Sequence, residues 1–383
     1  MLHEDTPSRM RIALGTTVLQ RGLTQGGLDG IGVYTQALLA YFNQRQDLSI
    51  DEIPFRALRG LPTNNSLPGR FHLEVLRSAL TGIPFRGSKA LRKKVDLFHA
   101  TDHHIPKLSG TPVVATLMDP VPLMRPDWAN STGRKLKNWL FRRSTQWASH
   151  YITISHAVVP DLVEHFGIPE EKITPIHLGV NMADFSTVSL EKKSAVLERL
   201  GIKSGFFLFI GTLQPRKNVN KIIEAFEQLS PEIQKEHPLV IVGREGWSSE
   251  DVVKKIHRLV DLGVAHWLGY VSFADKVVLL QSAISLVFPS LYEGFGLPVL
   301  EAFASRLPVI TSNTSSLPEV AGDAAYLVDP LDAEALKDAM NRVITHPELS
   351  KNLAEKGYLR ASQMTWESCA KKTLDVYRNC ISR

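Results

Sequence analysis

Residues 284–301 read ISLVFPSLYEGFGLPVLE. The run ISLVFPS has the length and unbroken hydrophobicity of a strand covered on both faces. It ends in EGFG, where Gly294 and Gly296 permit tight backbone turns. Pro298 suits a first helical position, so the spacing predicts a helix opening there with Glu301 in its first turn. A strand passing through glycine into a helix is the repeating unit of a parallel α/β sheet.

The same unit recurs in both directions. Behind it lie Phe206–Gly211 (FFLFIG), Leu239–Gly243 (LVIVG) and His266–Gly269; ahead lies Pro308–Thr311 (PVIT). Further back, Arg11–Leu14 leads into a helix-like Ile31–Phe42, Asp96–Phe98 and Thr111–Leu117 read as strands, and Tyr151–Ile154 precedes the helical Ala157–Phe166. The fold class is therefore α/β with parallel sheets. A length of 383 residues suits two domains of about 150–200 residues. The polar stretch Val180–Ser204 reads as the linker, which divides the chain into 1–183 and 184–363. Leu58–Gly69 (LRGLPTNNSLPG) reads as a mobile loop.

Composition narrows the class of protein. Hydrophobic residues are 44% and charged residues 22%, which excludes a disordered or fibrous chain. Two cysteines, Cys369 and Cys380, are too few for a disulfide framework or a cysteine-rich metal site, and fit a reducing cytoplasm. The start, MLHEDTPSRM, lacks the layout of a secretory signal. Val277–Tyr292 is broken by polar residues and proline, so no stretch matches the roughly 20 apolar residues of a membrane span.

The net charge of +5 is unevenly spread: residues 1–183 hold 21 basic and 15 acidic residues, residues 184–383 hold 23 and 24. Arg86, Lys89, Arg92, Lys93 and Lys94 form one basic cluster; Arg134, Lys135, Lys137, Arg142 and Arg143 form another, interleaved with Trp139, Phe141 and Trp147. Such a surface suits an anionic membrane, or is a solvated helix face. No zinc-finger, RNP or basic-zipper pattern accompanies it, so nucleic acid is not the expected partner.

Three strand-to-helix junctions carry glycines that expose amides to phosphate or hydroxyl oxygens: GLDGIG (27–32), GTLQPRKN (211–218) and GREG (243–246). Each also has the plain reading that glycine ends strands. The dinucleotide fingerprint is absent, because Thr35 occupies its third glycine position. Arg216 and Lys217 stand between a strand and a helix beside free amides, in outline a diphosphate clamp. A carboxylate accepts two hydrogen bonds from vicinal hydroxyls, so Glu293 points to a sugar-like ligand. Glu301 makes a separate contact or complements the helix dipole.

Taken together, EGFGLPVLEAFASRLPVI (293–310), GTLQPRKN, HLGVN (177–181) and TSSLPEVAGDAAYLVDP (314–330) resemble the retaining glycosyltransferases of family 4, from Met10 to about Tyr377. The resemblance implies a GT-B fold, two Rossmann-like domains with sheets facing across a cleft, the last helix (364–383) returning to the first. It implies that Glu293 and the backbone of Gly294, Phe295, Gly296 and Leu297 hold the donor sugar, Glu301 the ribose, and Arg216 and Lys217 the diphosphate. Gly211 ends the strand before that clamp, Gly243, Tyr270 and Val271 line the base, and Gly32 brings a helix N-terminus near the diphosphate. No metal or other cofactor is implied; the nucleotide sugar is a substrate, GDP-mannose as first choice and a UDP-hexose second. The acceptor is a saccharide or a lipid-linked one in polysaccharide or lipopolysaccharide synthesis, which places the enzyme in the cytoplasm or peripherally at the inner membrane face. A nucleotide-sugar epimerase and a non-catalytic donor-binding protein are the rival readings. Two positions depart from the family's pattern. Met118 stands where many relatives have histidine, leaving Asp119, His103 or His104 to make that sugar contact, and Val33 stands where many have arginine.

Overall fold

The computed structural model describes residues 9–55, 67–125, 128 and 133–382. The N-terminal octapeptide and residues 58–66 of the Pro/Asn/Gly-rich stretch lie outside the described residues. The chain forms two compact units, one from Met1–Met124, Ser131–Leu178 and Trp366–Arg383, the other from Arg125–Asn130 and Gly179–Thr365.

The first unit holds β1 (Met10–Gly15), β2 (Leu48–Ile53), β3 (Leu97–Ala100), β4 (Val113–Thr116), β5 (His150–Thr153) and β6 (Ile173–Pro175), all parallel in the order β2-β1-β3-β4-β5-β6. The second holds β7 (Phe207–Ile210), β8 (Leu239–Val242), β9 (Ala265–Trp267), β10 (Ser285–Phe288), β11 (Val309–Ser312) and β12 (Tyr326–Val328), again parallel, in the order β12-β11-β10-β7-β8-β9. Strands β3, β4, β8 and β10 are buried along their whole length, as helices on both faces require. Chain direction across the sheet reverses between β1 and β3 in the first unit and between β7 and β10 in the second. At such switch points the loops diverge and leave a crevice outside the carboxyl ends of the strands.

The sequence pattern misses the edge strands β2, β6 and β12. β2 (LSIDEI) carries two acids and is half-buried, and the other two are three residues long, so none shows a hydrophobic run. The segment read as a polar linker contains an eleven-residue helix, Leu190–Leu200. Ser189 caps its start by accepting from Lys192 N at 3.3 Å, and Gly201 ends it in the left-handed conformation. The second aromatic-basic cluster also separates. Trp139 is exposed on the helix Arg134–Thr145, whereas Phe141 packs edge-on against Phe166 at 4.9 Å and Trp147 against Phe85 at 6.0 Å.

The last helix, Trp366–Ile381, packs on β3 and on the helix Gly30–Phe42. Its fully buried Tyr377 hydroxyl meets His99 Nδ1; His99 Nε2 lies 2.8 Å from Thr116 Oγ1, which lies 3.0 Å from the Tyr34 hydroxyl. Four elements are thereby joined by neutral groups whose buried polar atoms satisfy one another. Burial holds the His99 pKa down at about 3, Asp102 opposing it weakly.

Between that value and the ordinary 6.5 the unfolded chain binds a proton that the folded chain rejects, so His99 makes stability fall as pH drops through this window. His99→Gln, which places an amide where Nε2 meets Thr116 and removes the titrating ring, is expected to flatten that dependence. Urea unfolding of both proteins from pH 4 to pH 7 checks it; parallel curves would assign the acid sensitivity elsewhere.

Candidate active site

The second unit's crevice is built where β7 and β10 end side by side. After β7 the chain turns at Gly211 and makes a short 3-10 turn, Pro215–Lys217, ending at Asn218 with φ 59°. The Asn218 amide donates to Pro289 O at 3.0 Å and Pro330 O at 2.7 Å, and Leu291 N donates to Arg216 O at 2.8 Å. The turn is thus stitched to the loops after β10 and β12. Neither Asn218 nor its carbonyl partners are suggested by sequence pattern, because each bond spans at least 71 residues.

This stitching brings both cations onto one carboxylate. Lys217 Nζ lies 2.6 Å from Glu293 Oε1, and Arg216 Nη1 lies 3.0 Å from Glu293 Oε2 and 3.1 Å from Tyr292 O. Glu293 is 7% exposed and Lys217 9%. The Lys217 ammonium also sits 4.9 Å from the centre of the Phe288 ring. From the other side, Ser315 Oγ accepts from Glu293 N at 3.1 Å, and Ser316 Oγ donates to Glu293 O and Phe295 O at 2.8 and 2.9 Å. Burial would raise the Glu293 pKa, but Lys217 and Arg216 outweigh it and hold it down to about 2. Two cations thus face this one carboxylate. The carboxylate oxygens have about four lone-pair positions and keep some beyond the two used by the cations.

The glycine loops serve this packing. A Cβ at Gly243, whose φ is 153°, would lie 1.9 Å from Gly211 O, so the ends of β7 and β8 touch backbone to backbone. Gly211 N donates to Val242 O at 2.8 Å and Gly243 N to Gly269 O at 2.7 Å; Gly243 O accepts from the Trp267 indole at 2.9 Å. Gly296, at φ 113°, would push a Cβ to 2.8 Å from Leu317. These positions need glycine for close approach before any ligand is considered.

Glu301 is the fifth residue of the helix Leu297–Ala304, with Pro298 second. The carboxylate therefore stands in the second turn, beyond the reach of the helix N-terminus, and its partner is Lys276 Nζ at 2.6 Å. Lys276 comes from the helix Phe273–Leu280, capped by Ser272, and sequence reasoning gave it no role. Tyr270 is 54% exposed under the Arg244 guanidinium at 4.8 Å, beside Val271. Gly294, Phe295 and Gly296 are buried, and Leu297 half-buried, in the loop that presents Glu293.

In the first unit, the Gly32 N–H donates to Asp29 Oδ1 at 2.8 Å, so the cap of its own helix engages it. Asp119 Oδ1 accepts from Val121 N at 3.0 Å and so caps the short helix Val121–Met124; Met118 is buried.

Two family models match the chain: "Glycosyltransferase Family 4" over residues 29–184 and "Glycosyl transferases group 1" over residues 196–360. The chain is 29% identical to O-antigen chain mannosyltransferase B of Escherichia coli, over 77% of each chain. It is 28% identical to O-antigen chain mannosyltransferase RfbU of Salmonella typhimurium, over 65% of each. Among solved structures, sucrose-phosphate synthase from Thermosynechococcus elongatus superposes with a TM-score of 0.74 at 19% identity, covering 98% of this chain and 100% of that one. A glycosyltransferase involved in lipopolysaccharide biosynthesis, WaaG, superposes at 0.69 and 16% identity, covering 95% and 99%. The two six-stranded parallel sheets match the GT-B fold of these structures.

Removing Lys217 leaves Glu293 paired with Arg216 alone, so the loss is that of a buried charge-assisted hydrogen bond, roughly 1.5–3 kcal/mol. Lys217→Met, which keeps the stem over Phe288, is expected to destabilise the second unit by that order. The triad's contribution is present above about pH 4.5, the ordinary glutamate value, and fades as pH falls toward about 2. Chemical denaturation at pH 7 checks the substitution; an unchanged midpoint would show that the triad carries no stability.

Proposed function

We propose that this chain, which belongs to glycosyltransferase family 4, a family of retaining hexosyltransferases, transfers mannose from GDP-mannose to a saccharide or lipid-linked acceptor in cell-surface polysaccharide synthesis. The observation that carries the reading is the buried Glu293–Lys217–Arg216 triad at the switch point of the second sheet. A guanidinium and an ammonium side by side at a strand end suit a diphosphate, and the remaining lone pairs of Glu293 suit sugar hydroxyls. In this reading the second unit binds the donor, with Glu301 and Lys276 toward the ribose and Tyr270 and Val271 toward the base, and the first unit takes the acceptor. Mannose is favoured by the two O-antigen mannosyltransferases to which the chain is similar. A UDP-hexose is the second reading, since a solved relative of the same fold, Anabaena HepE, is in complex with UDP-glucose.

The chemistry follows from the electrostatics. As the bond from the anomeric carbon to the phosphate breaks, negative charge gathers on the departing diphosphate, and Arg216 and Lys217 are already positioned to stabilise it. Each cation is held by contacts that cost no reorganisation at the moment of reaction. A carboxylate whose pKa is held at about 2 by two cations is a weak nucleophile, which disfavours double displacement through Glu293. The acceptor hydroxyl then attacks from the face the diphosphate leaves, passing its proton toward the phosphate oxygen, and the configuration is retained. Arg216 and Lys217 supply the countercharge that this route needs, without calling on a metal ion.

The first unit's surface fits an acceptor presented at a membrane. On the helix Arg134–Thr145, Leu136 and Trp139 are 57% and 44% exposed beside exposed Lys135, Lys137, Arg142 and Arg143. The helix Phe71–Thr81 packs on it, and Leu73, Leu80 and the following Ile83 are exposed too. Apolar and basic groups on one surface are what peripheral binding to anionic lipid uses. No helix among the described residues is long and apolar enough to cross a membrane.

Two measurements test this. Incubation with radiolabelled GDP-mannose or UDP-glucose and an alkyl mannoside separates transfer from isomerisation and from inert binding. Glu293→Gln is expected to lower turnover by at least about 100-fold; turnover within a factor of a few of the parent would remove the triad from the reaction. Sedimentation with vesicles of rising anionic lipid content tests the surface. Replacing Lys135, Lys137, Arg142 and Arg143 by Gln should abolish salt-sensitive binding, and undiminished binding would make the cluster an ordinary solvated face.

A further inference from the structure

The helix Leu297–Ala304 buries Val299, Leu300, Ala302, Phe303 and Ala304 and leaves Leu297, Pro298 and Glu301 half-buried. Residues three and four apart share a helix face, so Glu301 stands on the open stripe, one turn along from Leu297. The loop that presents Glu293 therefore also sets the position of this second carboxylate.

Lys276 Nζ donates to Glu301 Oε1 at 2.6 Å, and the two side chains are 20% and 15% exposed. Glu301 Oε2 has no hydrogen-bond partner among the described residues and is not shielded from solvent, so a ligand can reach it. Lys276 is itself held in place. Its backbone N donates to Ser272 O at 2.9 Å in the helix Phe273–Leu280, whose Val277, Val278, Leu279 and Leu280 are buried. Its ammonium lies 4.9 Å from the centre of the Phe273 ring, and that ring meets the edge of the buried Phe185 at 5.7 Å. The neighbouring acid, Asp275, is taken by Arg199 at 2.5 Å and does not compete for the ammonium.

A carboxylate without a partner turns about its last bond, and a ligand that binds it must first stop that motion. The ammonium removes this cost by pinning Oε1. One lone pair of Oε1 and both of Oε2 are then presented in fixed directions, which suits two neighbouring hydroxyl donors. We propose that Lys276 is a positioning residue for the donor: it aims Glu301 at the 2′- and 3′-hydroxyls of the nucleotide ribose and so makes the site prefer ribonucleoside diphosphates to their 2′-deoxy forms. The assignment to ribose rests on the donor-binding reading of the second unit. Carboxylate and ammonium together are neutral, so the contact selects by hydrogen bonding and adds no charge to repel the diphosphate.

Titration calorimetry of the full chain with GDP, UDP and their 2′-deoxy forms is the test, on the parent, Lys276→Met and Lys276→Arg. Lys276→Met keeps an apolar stem beside Phe273 and removes the donor, whereas Lys276→Arg keeps a cation that donates to Oε1. Expected in the parent is a preference of about 10-fold for the ribo form of the nucleotide it binds, the size of one lost hydrogen bond to a charged group. That preference should shrink to within about 2-fold in Lys276→Met, where no fixed carboxylate senses the missing hydroxyl, and return in Lys276→Arg. A residue that only supported the helix, or only supplied positive charge, would weaken both forms alike, and an unchanged ratio in Lys276→Met overturns the proposal. A parent that binds ribo and 2′-deoxy forms equally overturns it too, and that measurement needs no variant to fold. A parent that binds neither GDP nor UDP overturns the donor reading of the second unit itself.

Discussion

A carboxylate buried between two cations is the constraint on which the second unit depends. Taking Glu293, Lys217 and Arg216 out of water costs several kcal/mol per ion, and mutual attraction offsets this only if the geometry is held closely. The structure holds it from three directions: Asn218 ties the cation turn to the ends of the neighbouring loops, Ser315 and Ser316 fix the Glu293 backbone, and Phe288 supports Lys217 from below. The contact between Gly243 and Gly211 belongs to the same requirement, since it packs the loop after β7 against that after β8. Two cations are thus held in place against one carboxylate, between an aromatic ring and a set of hydroxyl and amide contacts.

The first unit solves a different problem with similar topology. Its deepest polar groups are uncharged: Tyr377, His99, Thr116 and Tyr34 satisfy one another in a row, and burial keeps His99 neutral. That row anchors the helix Trp366–Ile381, which returns from the far end of the chain, to β3, β4 and the helix Gly30–Phe42.

Much of this was legible in the residues themselves. Continuous apolar runs such as FLFI, LVIV and SLVF mark strands covered on both faces, and their alternation with amphipathic stretches is enough for parallel α/β sheets. Glu293, Arg216 and Lys217 stand out because charged side chains next to glycine or proline at a strand end have little packing reason to be there. The edge strands β2, β6 and β12 were not legible, being short or half-solvated, and the helix Leu190–Leu200 was hidden by its polar composition although Ser189 and Gly201 mark its ends.

The sequence by itself determined the class of fold, the order of its strands along the chain and the identity of the charged residues at the strand ends, because period and composition are local properties. Only the tertiary structure decided that Arg216 and Lys217 grip Glu293, that Glu301 is held by Lys276, and that of two adjacent histidines His104 is packed while His103 keeps an unpartnered nitrogen. Those facts depend on which strand ends become neighbours. β7 and β10 are separated by 74 residues from the end of one to the start of the next, and no periodicity in the chain records that they lie side by side.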